Sequence, residues 1–124
     1  MDTLKFINKE MDALAVPYQY GEWQGRETYP YGVGEISAFT PLNEDGAEES
    51  TLLLTFWHRG ALIELEKIVN KLKKHFHPIY GLRGDTDSGT IAVFYDSAFS
   101  VPSGEADLKK MQINLKIKEW KGDL

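Results

Sequence analysis

Apolar residues recur every three or four positions in two stretches of the chain, and this spacing predicts two amphipathic helices. The apolar positions of the first helix are Leu4, Ile7, Met11 and Leu14. Pro17 should end this helix, because proline disfavours helical geometry in the residue before it. The second helix is predicted over about residues 61–76 and should stop at Pro78. Its apolar face carries Leu62, Leu65, Val69, Leu72 and Phe76.

Apolar and polar residues alternate in other stretches, and this alternation predicts strands. A short aromatic strand should follow Pro17, and a longer one is expected over residues 31–39. Residues 51–58 are apolar on both faces, which is typical of a buried strand. Two more strands are predicted, one over residues 91–96 and a final one with an alternating pattern. The apolar positions of this final strand are Met111, Ile113, Leu115 and Ile117.

The connections between these segments complete the predicted fold. Gly32 and Gly34 should weaken the second strand and suggest a bulge or a sheet edge. Residues 41–50 are turn-rich and acidic, so they should form an exposed, mobile loop at the tip of a long β-hairpin. A glycine-rich loop is expected between the second helix and the strand at residue 91. The order of elements predicts one α+β domain over residues 1–124, with an antiparallel sheet of about four strands and two helices packed on one face.

The composition narrows the possible functions. The 124 residues contain no cysteine, which excludes thiol catalysis, thiolate metal sites and disulfide bonds. The net charge of −5, from 19 acidic and 14 basic residues, argues against nucleic acid as the main partner. The first residues lack the basic and then apolar pattern of a signal peptide, and no apolar run is long enough to cross a membrane. We therefore expect a protein made in the cytoplasm that does not bind a membrane.

Few residues suggest catalysis or metal binding. The run Asp87-Ser88-Gly89-Thr90 is similar to the motif of small homodimeric aspartic proteases, in which two chains share one proton between two carboxylates. Here it follows a polar segment where those enzymes have a buried strand, so an exposed turn is the favoured interpretation. Asp85, Asp87 and Ser88 lack the distant glutamate of a calcium loop. The histidines at positions 58, 75 and 77 have no accompanying ligand cluster. We predict no catalytic residue, cofactor or metal.

Aromatic and acidic residues supply the candidate interaction site. Tyrosine and tryptophan dominate interface hot spots, since they bury large areas with little loss of freedom. The acidic loop is a natural contact arm that would become ordered on assembly. The candidate interface residues are Tyr18, Tyr20, Trp23, Tyr29, Tyr31, Asn43, Glu44, Asp45, Glu48 and Glu49. The aromatic residues could instead cover one end of the sheet, and the lysines of the second helix and last strand leave a nucleic-acid-binding module as an alternative.

The last third of the chain is similar to small proteins from the head–tail gene clusters of long-tailed bacteriophages. The resemblance is carried by Phe94-Tyr95-Asp96-x-Ala98-Phe99-x-Val101-Pro102-x-Gly104-Glu105-Ala106-Asp107-Leu108-Lys109-Lys110, by Met111-Gln112-Ile113-Asn114-Leu115 and by Glu119-Trp120. These proteins are known as minor capsid, tail-completion or tail-terminator proteins. The predicted order of helix, long hairpin with a mobile loop, helix and two strands also resembles the lambda type of tail terminator.

The resemblance implies a structural virion protein rather than an enzyme. It implies a homo-oligomeric ring, a hexamer, located at the head–tail junction of the virion and docked to the tail tube protein and the head connector. DNA would pass through the ring without being read by sequence, and an acidic chain suits a channel that must not hold phosphates. A small aspartic-type peptidase dimer and a nucleic-acid-binding α+β module are the alternatives.

Overall fold

A computed structural model describes residues 2–26, 28–40 and 47–121 of the chain. The described residues form two helices and six strands. The helices are α1 (Asp2–Ala13) and α2 (Ile63–His75). The strands are β1 (Tyr18–Tyr20), β2 (Tyr31–Thr40), β3 (Glu48–Arg59), β4 (Leu82–Thr86), β5 (Gly89–Val101) and β6 (Leu108–Lys121).

The six strands form one mixed sheet in the order β1-β2-β3-β6-β5-β4. Strand β1 is parallel to β2, and the other neighbouring pairs are antiparallel. The predicted α+β class is confirmed, whereas the prediction of about four antiparallel strands is wrong. Part of the error lies at β4, which occupies the segment that was predicted as a glycine-rich loop. It is a short edge strand whose residues alternate between half-buried and exposed.

The core lies between one face of the sheet and both helices. Strand β3 contributes Leu52, Leu54 and Phe56, which are completely buried. Directly opposite them on β6 are Leu115, Ile113 and Met111. Side chains from both helices join the same cluster, and these are Ile7, Met11, Leu65, Ile68 and Leu72. The opposite face of the sheet, called the outer face below, therefore lies away from both helices.

Gly32 and Gly34 have a packing role that differs from the predicted weakening. Strand β2 lies between β1 and β3, so it is not an edge, and its irregularity falls between Ile36 and Ala38. A Cβ atom added at Gly32 would come within 2.3 Å of the ring of Phe56. At Gly34 it would come within 2.7 Å of the ring of Tyr18. The two glycines thus make room for large core side chains.

The sheet is curled, and α1 contacts both of its edge strands, β1 and β4. The ring of Phe6 lies against Gly84 of β4, where an added Cβ atom would approach it to 2.3 Å. At the start of α1, the buried hydroxyl of Thr3 donates a hydrogen bond to Glu119 of β6. The first helix therefore closes the gap between the two edges of the curled sheet.

The acidic loop was predicted over residues 41–50, but in the structure it ends earlier, before residue 48. Strand β3 already begins at Glu48, and its third residue, Ser50, is buried. Ala47 is also completely buried. Residues 41–46 lie outside the described part of the chain, so the predicted mobility of the loop tip remains a prediction.

A polar contact joins the two helices. The carboxylate of Glu10 in α1 lies 2.7 Å from Nε2 of His75 in α2, and both side chains are largely buried. One turn along, the ammonium group of Lys71 donates a hydrogen bond to the backbone oxygen of Leu14, at 3.0 Å. Both contacts therefore join the C-terminal end of α1 to the C-terminal end of α2.

Replacing Glu10 with alanine should lower the free energy of unfolding by about 1–2 kcal/mol. Hydrogen bonds to charged groups contribute about 1.5–3 kcal/mol when buried, and the partial exposure of this pair reduces that value. Chemical denaturation of the variant measures the loss. Asp12→Ala, at an exposed position of the same helix, is the matched control and should stay within about 0.5 kcal/mol of the wild type. Equal effects of the two substitutions would show that the contact with His75 contributes nothing.

Candidate functional site

Large side chains lie on the outer face of the sheet at one end of β2, β3 and β6. Strand register places Tyr31 of β2 beside Trp57 of β3, and Trp57 beside Lys110 of β6. Since cross-strand partners point to the same side of a sheet, and Phe56 points into the core, these three side chains lie on the outer face. All three are half-buried.

Four aromatic rings at this end form a continuous cluster. The rings of Tyr31 and Trp57 are stacked, with centroids 5.2 Å apart and planes 21° apart. Trp23 and Tyr29, from the connection between β1 and β2, lie against Tyr31 at 5.0 and 5.5 Å. Lys110 places its ammonium group 5.8 Å from the centre of the Trp57 ring. We call these four aromatic residues, together with Arg59 and Lys110, the aromatic patch.

Arg59 lies at one edge of the aromatic patch and contacts both the patch and two acidic residues outside it. Its guanidinium carbon lies 5.5 Å from the centre of the Tyr29 ring. Its two terminal nitrogens bind the carboxylates of Asp107, at 2.9 Å, and Glu105, at 3.0 Å. A hydrogen-bonding interaction with Tyr29, followed by those with Glu105 and Asp107, raises the pKa of Arg59. The guanidinium thus joins the patch to the connection between β5 and β6, and two carboxylates already offset its charge.

The structure brings together three of the five predicted aromatic interface residues. Trp23, Tyr29 and Tyr31 belong to the aromatic patch. Tyr18 lies elsewhere, because its ring packs against the core and burial raises the pKa of its hydroxyl group. Tyr20 is 39% exposed, and its hydroxyl oxygen accepts a hydrogen bond from the backbone N–H of Ile36.

The predicted acidic interface residues lie away from the aromatic patch. Glu48 and Glu49 begin β3, whereas Trp57 and Arg59 end it. At about 3.3 Å per residue, the two ends of this strand are roughly 36 Å apart. Lys118 of β6 forms an ion pair with Glu49, at 3.7 Å. Asn43, Glu44 and Asp45 lie outside the described residues.

The sequence pattern did not predict Trp57, Arg59 and Lys110 as members of the site. The apolar character of residues 51–58 on both faces predicted a fully buried strand, and that interpretation hid Trp57. The available signal was the alternation along the strand, because neighbouring residues point to opposite faces of a sheet. Trp57 must therefore lie on the other face from Phe56. Its pairing with Tyr31 and Lys110 depends on strand register, which the pattern alone does not give.

The residues that suggested a peptidase lie in a hairpin turn. Asp87 and Ser88 connect β4 to β5 and are exposed. Asp87 also lines a cleft of about 390 Å³ between α1 and β4, whose other charged members are Lys5, Lys9, Glu10, Arg83 and Asp85. A carboxylate dyad that shares a proton needs two close, shielded carboxylates. In this chain Asp87 occupies a solvated position instead.

Two of the three histidines have structural contacts. His75 binds Glu10, and Nδ1 of His77 accepts hydrogen bonds from two backbone N–H groups. His58 lies near the end of β3 and leaves its buried Nδ1 atom without a hydrogen-bond partner. Over residues 2–26, 28–40 and 47–121, no three His, Asp or Glu side chains are grouped closely enough to hold a metal ion. In the same part of the chain, no helix has the length and apolar character needed to cross a membrane.

The sequence matches no protein-family model, and a search of curated proteins finds no significant match.

Proposed function

We propose that this chain is a structural virion protein of a long-tailed phage or prophage. In this proposal it is a tail-terminator or head–tail joining subunit that closes into a homo-oligomeric ring, a hexamer, at the head–tail junction. The ring docks to the tail tube on one side and to the head connector on the other, and DNA passes through it. Two features support the proposal: the sequence resemblance of residues 94–120 and the order of elements, in which α1 precedes the β2–β3 hairpin and α2 precedes β5 and β6.

The observation that carries the proposal is the aromatic patch on the outer face. Four large aromatic rings meet at a surface that lies away from both helices, and each ring is only half-buried. Aromatic residues on such a surface contribute a large share of the binding energy in protein–protein contacts. We assign the aromatic patch to docking against another virion protein, the tail tube protein or the head connector.

The charges around the aromatic patch favour a protein partner over nucleic acid. Binding to phosphates requires cationic groups that are free to replace counterions. Arg59 instead holds Glu105 and Asp107, and the whole chain carries a net charge of −5. The net negative charge of the chain also suits a ring through which DNA passes without being held.

The solution mass of the purified chain tests the ring. Light scattering over a concentration series, at low and at physiological salt, should show a discrete hexamer or a reversible passage from monomer to hexamer. A firm dimer would contradict the ring and would direct attention to Asp87 as a shared-proton aspartate. In that case Asp87→Asn should abolish peptide hydrolysis, whereas in a ring subunit it should change neither mass nor stability.

A further inference from the structure

The connection between α2 and β4 presents two large apolar side chains to solvent. Ile79 is 74% exposed and Tyr80 is 75% exposed, and they are the two most exposed large apolar side chains among the described residues. Apolar residues of this size at adjacent positions are a costly surface for a protein that stays alone. We call residues 77–81 the apolar tip.

The apolar tip is held in one conformation by its own contacts. Nδ1 of His77 accepts hydrogen bonds from the backbone N–H groups of Ile79, at 3.1 Å, and Tyr80, at 3.2 Å. The ring of His77 stacks on that of Tyr80, with centroids 4.7 Å apart. The N–H group of Gly81 donates to the carbonyl of His77, at 2.8 Å. A side chain that is ordered before binding loses less entropy when it docks, so this geometry favours a contact role.

Gly81, the last residue of the apolar tip, anchors the tip to the sheet. Gly81 has a φ of +66°, in the left-handed region where glycine is favoured. A Cβ atom at this position would come within 2.6 Å of the ring of Phe94 in β5. The tip therefore rests on the sheet through Gly81 and points its two apolar side chains outwards.

A groove that could receive such a tip lies between α2 and β5. It has a volume of about 270 Å³, and its apolar lining is formed by Val69, Tyr95, Ala98, Phe99 and Met111. Phe99 is 47% exposed, so this groove also leaves apolar surface in contact with water. Glu66 of α2 contributes a carboxylate to the groove.

We infer that the apolar tip of one copy docks into the α2–β5 groove of a second copy. This inference rests on the proposed function, since it names the subunit contact that closes the ring. Ile79 and Tyr80 fill the apolar groove. One contact then removes from water three of the five large apolar side chains that are exposed among the described residues: Ile79, Tyr80 and Phe99.

Opposite charges beside the two surfaces favour a second copy as the occupant. The exposed Lys74 lies in the last turn of α2, directly before the apolar tip, and the exposed Glu66 lines the groove. The tip follows the C-terminal end of α2, whereas the groove flanks the residues around Glu66 and Asn70. The two surfaces are different parts of the subunit, so each copy can give its tip to one neighbour and receive the tip of another, which is the head-to-tail arrangement that closes a ring.

Cysteine cross-linking tests the contact directly, because the chain has no cysteine of its own. An Ile79→Cys chain is mixed with a Ser100→Cys chain that carries a size tag, since Ser100 lines the groove and is exposed. Under mild oxidation, the disulfide-linked pair of unlike chains should form at least about tenfold faster than with Ser37→Cys, an exposed serine on β2. Equal rates for the two mixtures would overturn the inference.

Assembly variants give an independent measurement. The tip variant carries Ile79→Ser and Tyr80→Ser, and the groove variant carries Glu66→Lys and Phe99→Ser. Each variant alone should lose every species larger than a monomer, whereas a mixture of the two retains one intact contact and should reach a dimer and no more. Ile63→Ser, which is 56% exposed and lies outside both surfaces, should assemble like the wild type.

The outcomes separate this inference from the proposed function. A tip variant that still forms the wild-type oligomer overturns the tip–groove contact and leaves the ring standing. A wild-type chain that stays monomeric, with no preferential cross-link, overturns both. Preferential cross-linking together with a monomeric wild type supports the contact and contradicts a ring that is stable on its own.

Discussion

Replacing Phe56 with alanine should lower the free energy of unfolding by about 3–5 kcal/mol, a large part of the stability of a domain of this size. Phe56 is completely buried in the core, on a strand that pairs with neighbours on both sides. The loss follows from the apolar area returned to water and from the cavity that remains, since neighbouring strands close only partly around it. Urea denaturation followed by circular dichroism measures the change.

The packing of Phe56 against Gly32 allows the same prediction to be tested with a double-mutant cycle. Gly32→Ala should cost about 1–3 kcal/mol in the wild-type chain, because the new methyl group would lie 2.3 Å from the Phe56 ring. In the Phe56→Ala background most of that cost should disappear, since the methyl group then enters the cavity. The double-mutant cycle should therefore give a coupling energy of about 1–3 kcal/mol. Additive effects would contradict the packing of these two residues.

Phe99→Ala is the matched control for Phe56→Ala. Phe99 is the same residue type on β5, but 47% of its surface is exposed. Its replacement should change the free energy of unfolding by less than about 1 kcal/mol. A loss as large as that of Phe56→Ala would show that burial on β3 is not the cause.

Replacing Trp57 with alanine should weaken docking at the aromatic patch by about 30-fold or more. Truncation of a central aromatic residue in an interface costs about 2 kcal/mol or more, and about 1.4 kcal/mol corresponds to a tenfold change in affinity. Under the proposed function, Trp57→Ala in the encoding phage or prophage should sharply reduce the yield of joined particles, counted by electron microscopy of lysates.

Trp120→Ala is the matched control for this substitution. Trp120 is also half-buried on the outer face, but it lies opposite Thr90, at the other end of β6 from Lys110. Its loss should leave the yield of joined particles near that of the wild type. Because Trp57 also stacks on Tyr31, the melting temperature of each variant must be measured as well. Equal yields from the two variants, if both are stable, would show that the aromatic patch is not part of the docking surface.

Local pattern predicted most of the elements because their periodicity was strong. The three–four repeat gave both helices, and the alternation from Met111 to Ile117 gave β6. Strand β4 was missed because its sequence, Leu-Arg-Gly-Asp-Thr, has only one large apolar side chain and a central glycine. Gly84 leaves space for the ring of Phe6. Phe6 lies 78 residues earlier in the chain, so no local pattern predicts this contact.

The site was predicted only in part for a related reason. Aromatic density around Trp23, Tyr29 and Tyr31 indicated an interaction surface, and these rings do meet. The composition of the segment could not show that Tyr18 differs from these residues by packing against the core. Strand β1 has only three residues, which is too short for alternation to define its two faces. The apolar tip carried no periodic signal, and no local pattern predicts that two of its backbone N–H groups bind a single histidine ring.

The position of α1 has a consequence for the order of folding. Its partners are spread along the chain: β1 follows directly, β4 lies some 70 residues later, and Thr3 binds Glu119, 116 positions away. During synthesis, the first helix must therefore wait for almost the whole chain before its final contacts exist. Contacts between residues so distant in sequence slow folding, because the intervening loop must close before they form. Until then both edges of the sheet stay open to other chains, so we expect newly made chains to be most prone to aggregation in that interval.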